Sequence, residues 1–280
     1  KLEVVAANKG GENPDVEDAP LNNISIYQLP DDPLDGDGWE ELVLTQVRIP
    51  INSEPIDLDL DGDMDIIVGS RGEQRILWLE NNGDFKFIEH KINFSKPLEK
   101  GSWITGFNMD YADINDDGRL DIVSSVWPSS VYILYQPSDP NETWDIEKVG
   151  SIEPDMLVSV ALADINGDGY QDIFSGSYSL GSRDKDDTND TNRSYGSVVW
   201  FENNIDSWKK NNILRRKRGM YDKWIPVDLD DDNDIDFIGT RGNSEPYDGV
   251  LWLEQLRSDN SETVFFPARM IDSESVPFDD

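Results

Sequence analysis

The sequence predicts an all-β fold, a β-propeller of four-stranded antiparallel blades. Three observations predict it: an Asp-rich stretch recurs four times, a short apolar strand leaves each copy, and two more strand-like segments precede the next. The copies are "DLDLDGDMDIIVG" from 57, "DINDDGRLDIVSS" from 113, "DINGDGYQDIFSG" from 164 and "DLDDDNDIDFIGT" from 228. A β-sandwich would also be all-β, but it does not explain a repeated loop at a repeated position.

Each unit reads as four strands in order. The first runs into the Asp loop. The second, such as "DIIVGS", is rich in β-branched residues, too short for a stable helix, and bounded by Gly and Asp. The third ends in an acid or amide: "ISIYQ" (24–28), "ILWLEN" (76–81), "YILYQ" (132–136), "VVWFEN" (198–203) and "VLWLEQ" (250–255). The fourth carries an aromatic near its start, as in "WEELVL", "FKFIEHKI", "WDIEKV", "WKKNNIL" and "VFFPARMI". About five blades result, at roughly residues 1–50, 51–105, 106–155, 156–219 and 220–280, forming one propeller domain. Trp78, Trp200 and Trp252 are expected to pack between blades. The chain starts and stops inside a motif: Lys1 aligns with loop position seven and Asp279 with position one. Either the ends meet in one blade or the chain is a segment of a longer, seven-bladed propeller, and the amputated loop favours the segment.

Bulk composition narrows the function. Nine Trp, nine Tyr and ten Phe mark a folded protein, although 58 acidic against 24 basic residues give a formal charge of −34. That charge argues against nucleic acid and anionic membrane surfaces as partners. There is no Cys, so disulfides and thiolate sites are excluded, and the single His90 rules out a multi-histidine metal site within the chain. No apolar run reaches the roughly 18 residues of a membrane span.

The loops share the spacing D-x-[D/N]-x-D-G-x-x-D, with Asn233 in place of Gly in the last copy. Crowded carboxylates repel, so either water or a cation must hold them. Side-chain oxygens at positions one, three, five and nine, with a backbone carbonyl from position seven, can wrap a hard cation, and calcium suits so many flexible carboxylates better than magnesium does. Gly at position six permits a left-handed turn, and Asn is the best substitute. An EF-hand needs an acid at position twelve, but Val68, Ser124, Ser175 and Gly239 stand there.

These loops, the strands "DIIVGS", "DIVSSV", "DIFSGS" and "DFIGTR", and the "WLENN" and "WFENN" segments resemble the FG-GAP/VCBS repeat family of calcium-loop β-propellers, which includes the integrin α-subunit propeller. The resemblance implies about four structural Ca2+ sites that staple the first two strands of a blade. Carried over residue by residue, the side-chain ligands are Asp57, Asp59, Asp61 and Asp65; Asp113, Asn115, Asp117 and Asp121; Asp164, Asn166, Asp168 and Asp172; and Asp228, Asp230, Asp232 and Asp236. Asp63, Arg119, Tyr170 and Asp234 would supply carbonyls.

Loops on the opposite face are the candidate for binding. Arg71 and Arg241 hold equivalent positions after the second strand, where two guanidiniums would face one ligand; Trp127, Tyr178 and Tyr247 lie on the same face. Arg pairs with carboxylate or sulfate, and aromatic rings stack on sugars. The basic run "KKNNILRRKR" (209–218) either decorates an outer edge strand or brings Arg215 to Arg218 to that face to recruit an anionic polymer. His90, on an outer strand, is expected to be solvated.

Two readings of function follow. One is a secreted or surface-displayed module binding a glycan, such as an anionic polysaccharide, or an extracellular protein. The other is a polysaccharide lyase or sugar dehydratase on a uronate-containing polymer, with Arg71 or Arg241 neutralising the carboxylate and Tyr178 or Tyr247 as base. Loops of this kind fill where free calcium is plentiful, so an extracellular, periplasmic or cell-surface location is expected. The sequons at Asn23, Asn93, Asn141, Asn189 and Asn192 gain meaning only in a eukaryotic source.

Overall fold

A computed structural model describes residues 3–8, 19–178, 195–217, 221–241, 249–257, 263–265 and 269–270. Five sheets follow one another along the described chain. The first holds β1 (Glu3–Ala7), β2 (Leu21–Gln28) and β3 (Glu40–Arg48), and the second holds β4 (Pro50–Ile56), β5 (Asp65–Ser70), β6 (Arg75–Asn81) and β7 (Phe87–Lys91), each in sequence order. The third contains β8 (Asn93–Phe94), β9 (Trp103–Ala112), β10 (Asp121–Trp127), β11 (Ser130–Tyr135) and β12 (Thr143–Ser151), in the order β8-β12-β11-β10-β9. The fourth is β13 (Met156–Ala163), β14 (Asp172–Tyr178), β15 (Tyr195–Asn203) and β16 (Trp208–Lys217). The remaining strands are β17 (Trp224–Val227), β18 (Asp236–Arg241), β19 (Gly249–Leu253), β20 (Gln255–Arg257), β21 (Thr263–Phe265) and β22 (Arg269–Met270). Of these, β17-β18-β19-β22 form the fifth sheet and β20-β21 a separate pair.

The fold class is thus all-β, a run of antiparallel blades of the propeller kind. Each Asp loop joins two neighbouring antiparallel strands, β4 to β5, β9 to β10, β13 to β14 and β17 to β18, because the Asp cluster breaks the ladder just where an apolar run begins; β8 is an added strand that pairs in parallel with β12. The strand after the loop is buried along its whole length in β5, from Asp65 to Ser70. Such a strand has both faces covered, which is why it reads as a continuous apolar run instead of an alternating one.

By packing, the chain divides into two compact units. One comprises Lys1–Phe107, Gly118–Leu120 and Leu134–Ile146; the other comprises Asn108–Asp117, Asp121–Ile133 and Glu147–Asp280. In the first, Ile24, Ile26 and Val47 pack on Ile66, Val68, Leu77 and Leu79 to join two sheets. Each fully buried aliphatic chain contributes about 1.5–3 kcal/mol. Gly69 of β5 meets Gly106 of β9 so closely that a Cβ on Gly69 would lie 2.4 Å from the Gly106 carbonyl oxygen.

In the second unit, Phe174 stacks on Phe237 with centroids 3.7 Å apart, and Trp200, Tyr221 and Trp224 complete the core between the fourth and fifth sheets. Trp200 therefore packs between sheets as expected. Trp78 is buried too, but its ring stacks on His90 of its own sheet at 4.7 Å.

Candidate metal centres

The Asp loops close through their own side chains before any cation is considered. Position one is the hub: Asp57 accepts the Gly62 N–H at 3.1 Å, Asp113 the Asp117 N–H at 2.9 Å, Asp164 the Gly169 N–H at 2.9 Å and Asp228 the Asn233 N–H at 3.1 Å. Position five then accepts the N–H of position seven, in Asp63, Tyr170 and Asp234. Arg119, at position seven of the second loop, sends its Nε to the Gln136 carbonyl oxygen at 2.9 Å.

Two backbone positions per loop turn left-handed. Position six does so in Gly62 (φ 97°), Gly118 (86°), Gly169 (92°) and Asn233 (69°), so the Asn departure keeps the turn. Position four does so as well, in Leu60 (61°), Asp116 (58°), Gly167 (76°) and Asp231 (65°). Sequence reasoning missed this second bend, for which Gly167 and the two Asp residues were the available signal.

Position nine has a second task. Asp65 is fully buried; one of its oxygens accepts the Leu58 N–H at 3.2 Å and the other the Asn81 N–H at 2.8 Å. Asp172 repeats this with Ile165 and Asn203, and Asp236 with Leu229 and Gln255. Asp121 accepts the Ile114 N–H at 3.0 Å. Burial pushes the Asp65 carboxyl up to about 6 and that of Asp172 to about 7, outweighing the backbone hydrogen bonds that favour the charged form. Each carboxylate oxygen keeps a lone pair after one such bond, so this clamp leaves room for a cation.

The carboxylates at positions one, three and five converge where all three are Asp. Asp57, Asp59 and Asp61 each offer an oxygen within 4.8 Å of the others, and so do Asp228, Asp230 and Asp232. Burial, with Asp61, Glu80 and Asp57 close by, raises the Asp59 carboxyl above its usual range. Oδ1 of Asp57 is buried and accepts no hydrogen bond. That orphaned oxygen and an all-oxygen donor set fit a hard divalent cation of the calcium type. In the other two loops Asn115 and Asn166 stand at position three, each donating Nδ2–H to the position-five carboxylate at 2.9 Å. These loops carry one charge fewer and still present oxygens at positions one, three and five.

Residues 57–124 and 113–175 match the FG-GAP-like repeat, and residues 156–197 match the FG-GAP repeat. The chain belongs to the FG-GAP repeat family. Among solved structures, this FG-GAP chain is similar to one described as the GH43 beta 1,3 galactosidase with galactodeoxynojirimycin, at 11% identity and a TM-score of 0.48, covering 86% of this chain and 84% of that one. No curated protein matches it.

The FG-GAP loops occupy one end of the strands, and the candidate ligand residues occupy the other. The expected equivalence of the two arginines is corrected: Arg71, six residues past Asp65, is exposed just after β5, whereas Arg241, five past Asp236 and so in register with Ser70, is buried at 5% exposure at the end of β18. Trp127 and Tyr178 are half-buried at the ends of β10 and β14; Tyr247 lies outside the described residues. Of the two readings of the basic run, the one that sends Arg215 to an anionic polymer meets an existing partner. The Arg215 Nε and Nη2 both donate to the buried Asp155 carboxylate at 2.9 Å, and its guanidinium lies 4.5 Å over the Tyr195 ring. Lys209 pairs with Glu202, and Lys210 donates to the Ser151 carbonyl. Arg218 lies outside the described residues. His90 is likewise not solvated: it is half-buried, 2.5 Å from Glu80, against Trp78.

Proposed function

We propose that this chain is a calcium-stabilised propeller module, secreted or displayed at a surface, that holds a glycan or an extracellular protein on the face opposite its Asp loops. The observation that carries the calcium half is the trio Asp57, Asp59 and Asp61 with its buried, unpartnered oxygen. Two carboxylates at 4–5 Å repel by about 1 kcal/mol in water and severalfold more near a protein surface, so a divalent ion relieves a real cost. Asp57, Asp59 and Asp61 would hold it in the first loop, with Asp228, Asp230 and Asp232 in the last. Calcium would also lower the effective charge of a chain that carries −34.

The binding half is supported by the loop face. In one unit Arg71 is exposed just after β5, and in the other Trp127 is half-exposed at the end of β10; each is a group of the kind that reads anionic sugars. An extracellular setting is the one in which modest calcium loops are filled. Among the described residues no helix is long and apolar enough to cross a membrane.

The test is a thermal melt of the chain in millimolar calcium and in excess chelator, followed by calorimetric titration with uronate-containing and neutral oligosaccharides. A large calcium-dependent rise in Tm, and binding of the anionic sugar weakened by Arg71→Ala and Trp127→Ala, are expected. A melt indifferent to calcium overturns the metal reading; sugar binding unaffected by both substitutions overturns the assignment of the face.

A further inference from the structure

The amide at the end of the third strand or just past it (Asn81 and Asn203 end β6 and β15, Gln136 follows β11, and Gln255 opens β20 two residues after β19) does different work according to its length. Asn81 and Asn203 turn back to their own sheet, donating Nδ2–H to the carbonyls of Met64 at 3.1 Å and Gln171 at 3.3 Å. Gln136 and Gln255, one methylene longer, reach the loop of the preceding sheet. Nε2 of Gln136 donates to the Leu58 carbonyl at 2.8 Å, and Nε2 of Gln255 to the Ile165 carbonyl at 2.9 Å. Both glutamines are buried, at 3% and 0% exposure.

Leu58 and Ile165 hold the same place, position two, between the first two cation-ligating positions of their loops. Their N–H groups are already fixed by Asp65 and Asp172. With the glutamine on the carbonyl, the peptide groups on both sides of position two are pinned, and these peptides set where positions one and three point their carboxylates. A group that orients a ligand without touching the metal is an outer-shell partner, and such partners tune affinity.

We propose that Gln136 and Gln255 are positioning residues that lock the metal loops at 57–65 and 164–172 to the following sheet, so that filling either loop stiffens two sheets instead of one. At the loop 113–121 the equivalent residue of the next sheet is Asn203, whose amide donates instead to Gln171 of its own sheet. The proposal rests on the reading of the loops as calcium sites, and it gives the pattern of Gln and Asn at this position a function.

The experiment uses the full chain with Gln136→Met and, separately, Gln255→Met, which keep side-chain length but remove the amide. Asn108→Leu is the control, since its buried amide donates to the Asp222 carbonyl at 3.0 Å, outside every Asp loop. Each is melted in chelator and in millimolar calcium chloride, and calcium is titrated calorimetrically. The expected result is a smaller calcium-dependent rise in Tm for both Met variants, with one site weakened by about tenfold, while Asn108→Leu lowers Tm equally in both buffers. Should Gln136→Met fail to fold, Gln255→Met carries the same comparison. Equal loss of Tm with and without calcium, at unchanged affinity, overturns the proposal and leaves the glutamines as packing. A wild-type chain that ignores calcium overturns the underlying calcium reading instead, and the coupling with it.

Discussion

Asp65 accepts the backbone N–H of Asn81 at 2.8 Å, fastening the end of the first Asp loop to the end of the third strand. Asp172 does the same for Asn203, and Asp236 for Gln255. The ninth loop position is therefore built into the sheet whether or not an ion is bound, whereas positions one, three and five are not. The two classes of aspartate should respond differently to substitution.

Asp172→Asn removes one of two acceptor oxygens from a buried site and leaves an N–H of Ile165 or Asn203 unpaired. A loss of about 1–3 kcal/mol is expected even in chelator, read from urea denaturation. Asp59→Asn, at an outer ligand position, should cost stability only when calcium is present. If both variants lose stability only in calcium, the clamp has no independent role.

The raised carboxyls of Asp65 and Asp172 set a pH dependence. A folded value of about 6 or 7, against 3.8 unperturbed, means that the folded chain binds more protons than the unfolded chain between those limits. The corresponding stability is complete below about pH 4 and is lost as pH rises through 6 to 7. In chelator the urea midpoint should therefore be higher at pH 5 than at pH 7.5, and bound calcium, which favours the carboxylates, should reverse that order. A midpoint in chelator that climbs with pH would refute the assignment.

Leu60 holds φ at 61° with its side chain 56% exposed, so its left-handed backbone is not offset by burial. For a non-glycine residue this conformation costs roughly 1–2 kcal/mol. Leu60→Gly and Leu60→Asn should each raise stability by about 0.5–1 kcal/mol in chemical denaturation. A destabilised Leu60→Gly would mean that the bend is not strained.

Gly69→Ala tests the closest approach between sheets. The new methyl group would meet backbone of Thr105 and Gly106 at 2.6 and 2.4 Å, and backbone cannot swing aside. A loss of about 1–3 kcal/mol is expected, with the Tm reduced in calcium and chelator alike. Gly62→Ala offers the contrast: it meets no neighbouring atom, so its cost is the left-handed φ of 97° alone.

Much of this protein is written locally. The repeated Asp loops, the β-branched strand after each and the aromatic strand before the next repeat predicted an all-β run of antiparallel sheets, because turn chemistry and apolar runs of that length are properties of neighbouring residues. The gathering of Asp57, Asp59 and Asp61 was legible for the same reason: one tight loop brings alternate residues together. Other features join residues distant in sequence, and no local pattern encodes them. The basic run leaves open in sequence whether Arg215 reaches an anionic ligand, and only the fold pairs it with Asp155, sixty residues away. His90 read as solvated until Trp78 and Glu80 closed over it. The "EN", "YQ" and "EQ" strand ends were visible as a repeat, but only the tertiary structure decides that Asn stays with its own sheet while Gln, one methylene longer, crosses to the loop of the preceding one; a hydrogen bond between sheets depends on where packing sets them, and packing is settled by the whole core at once.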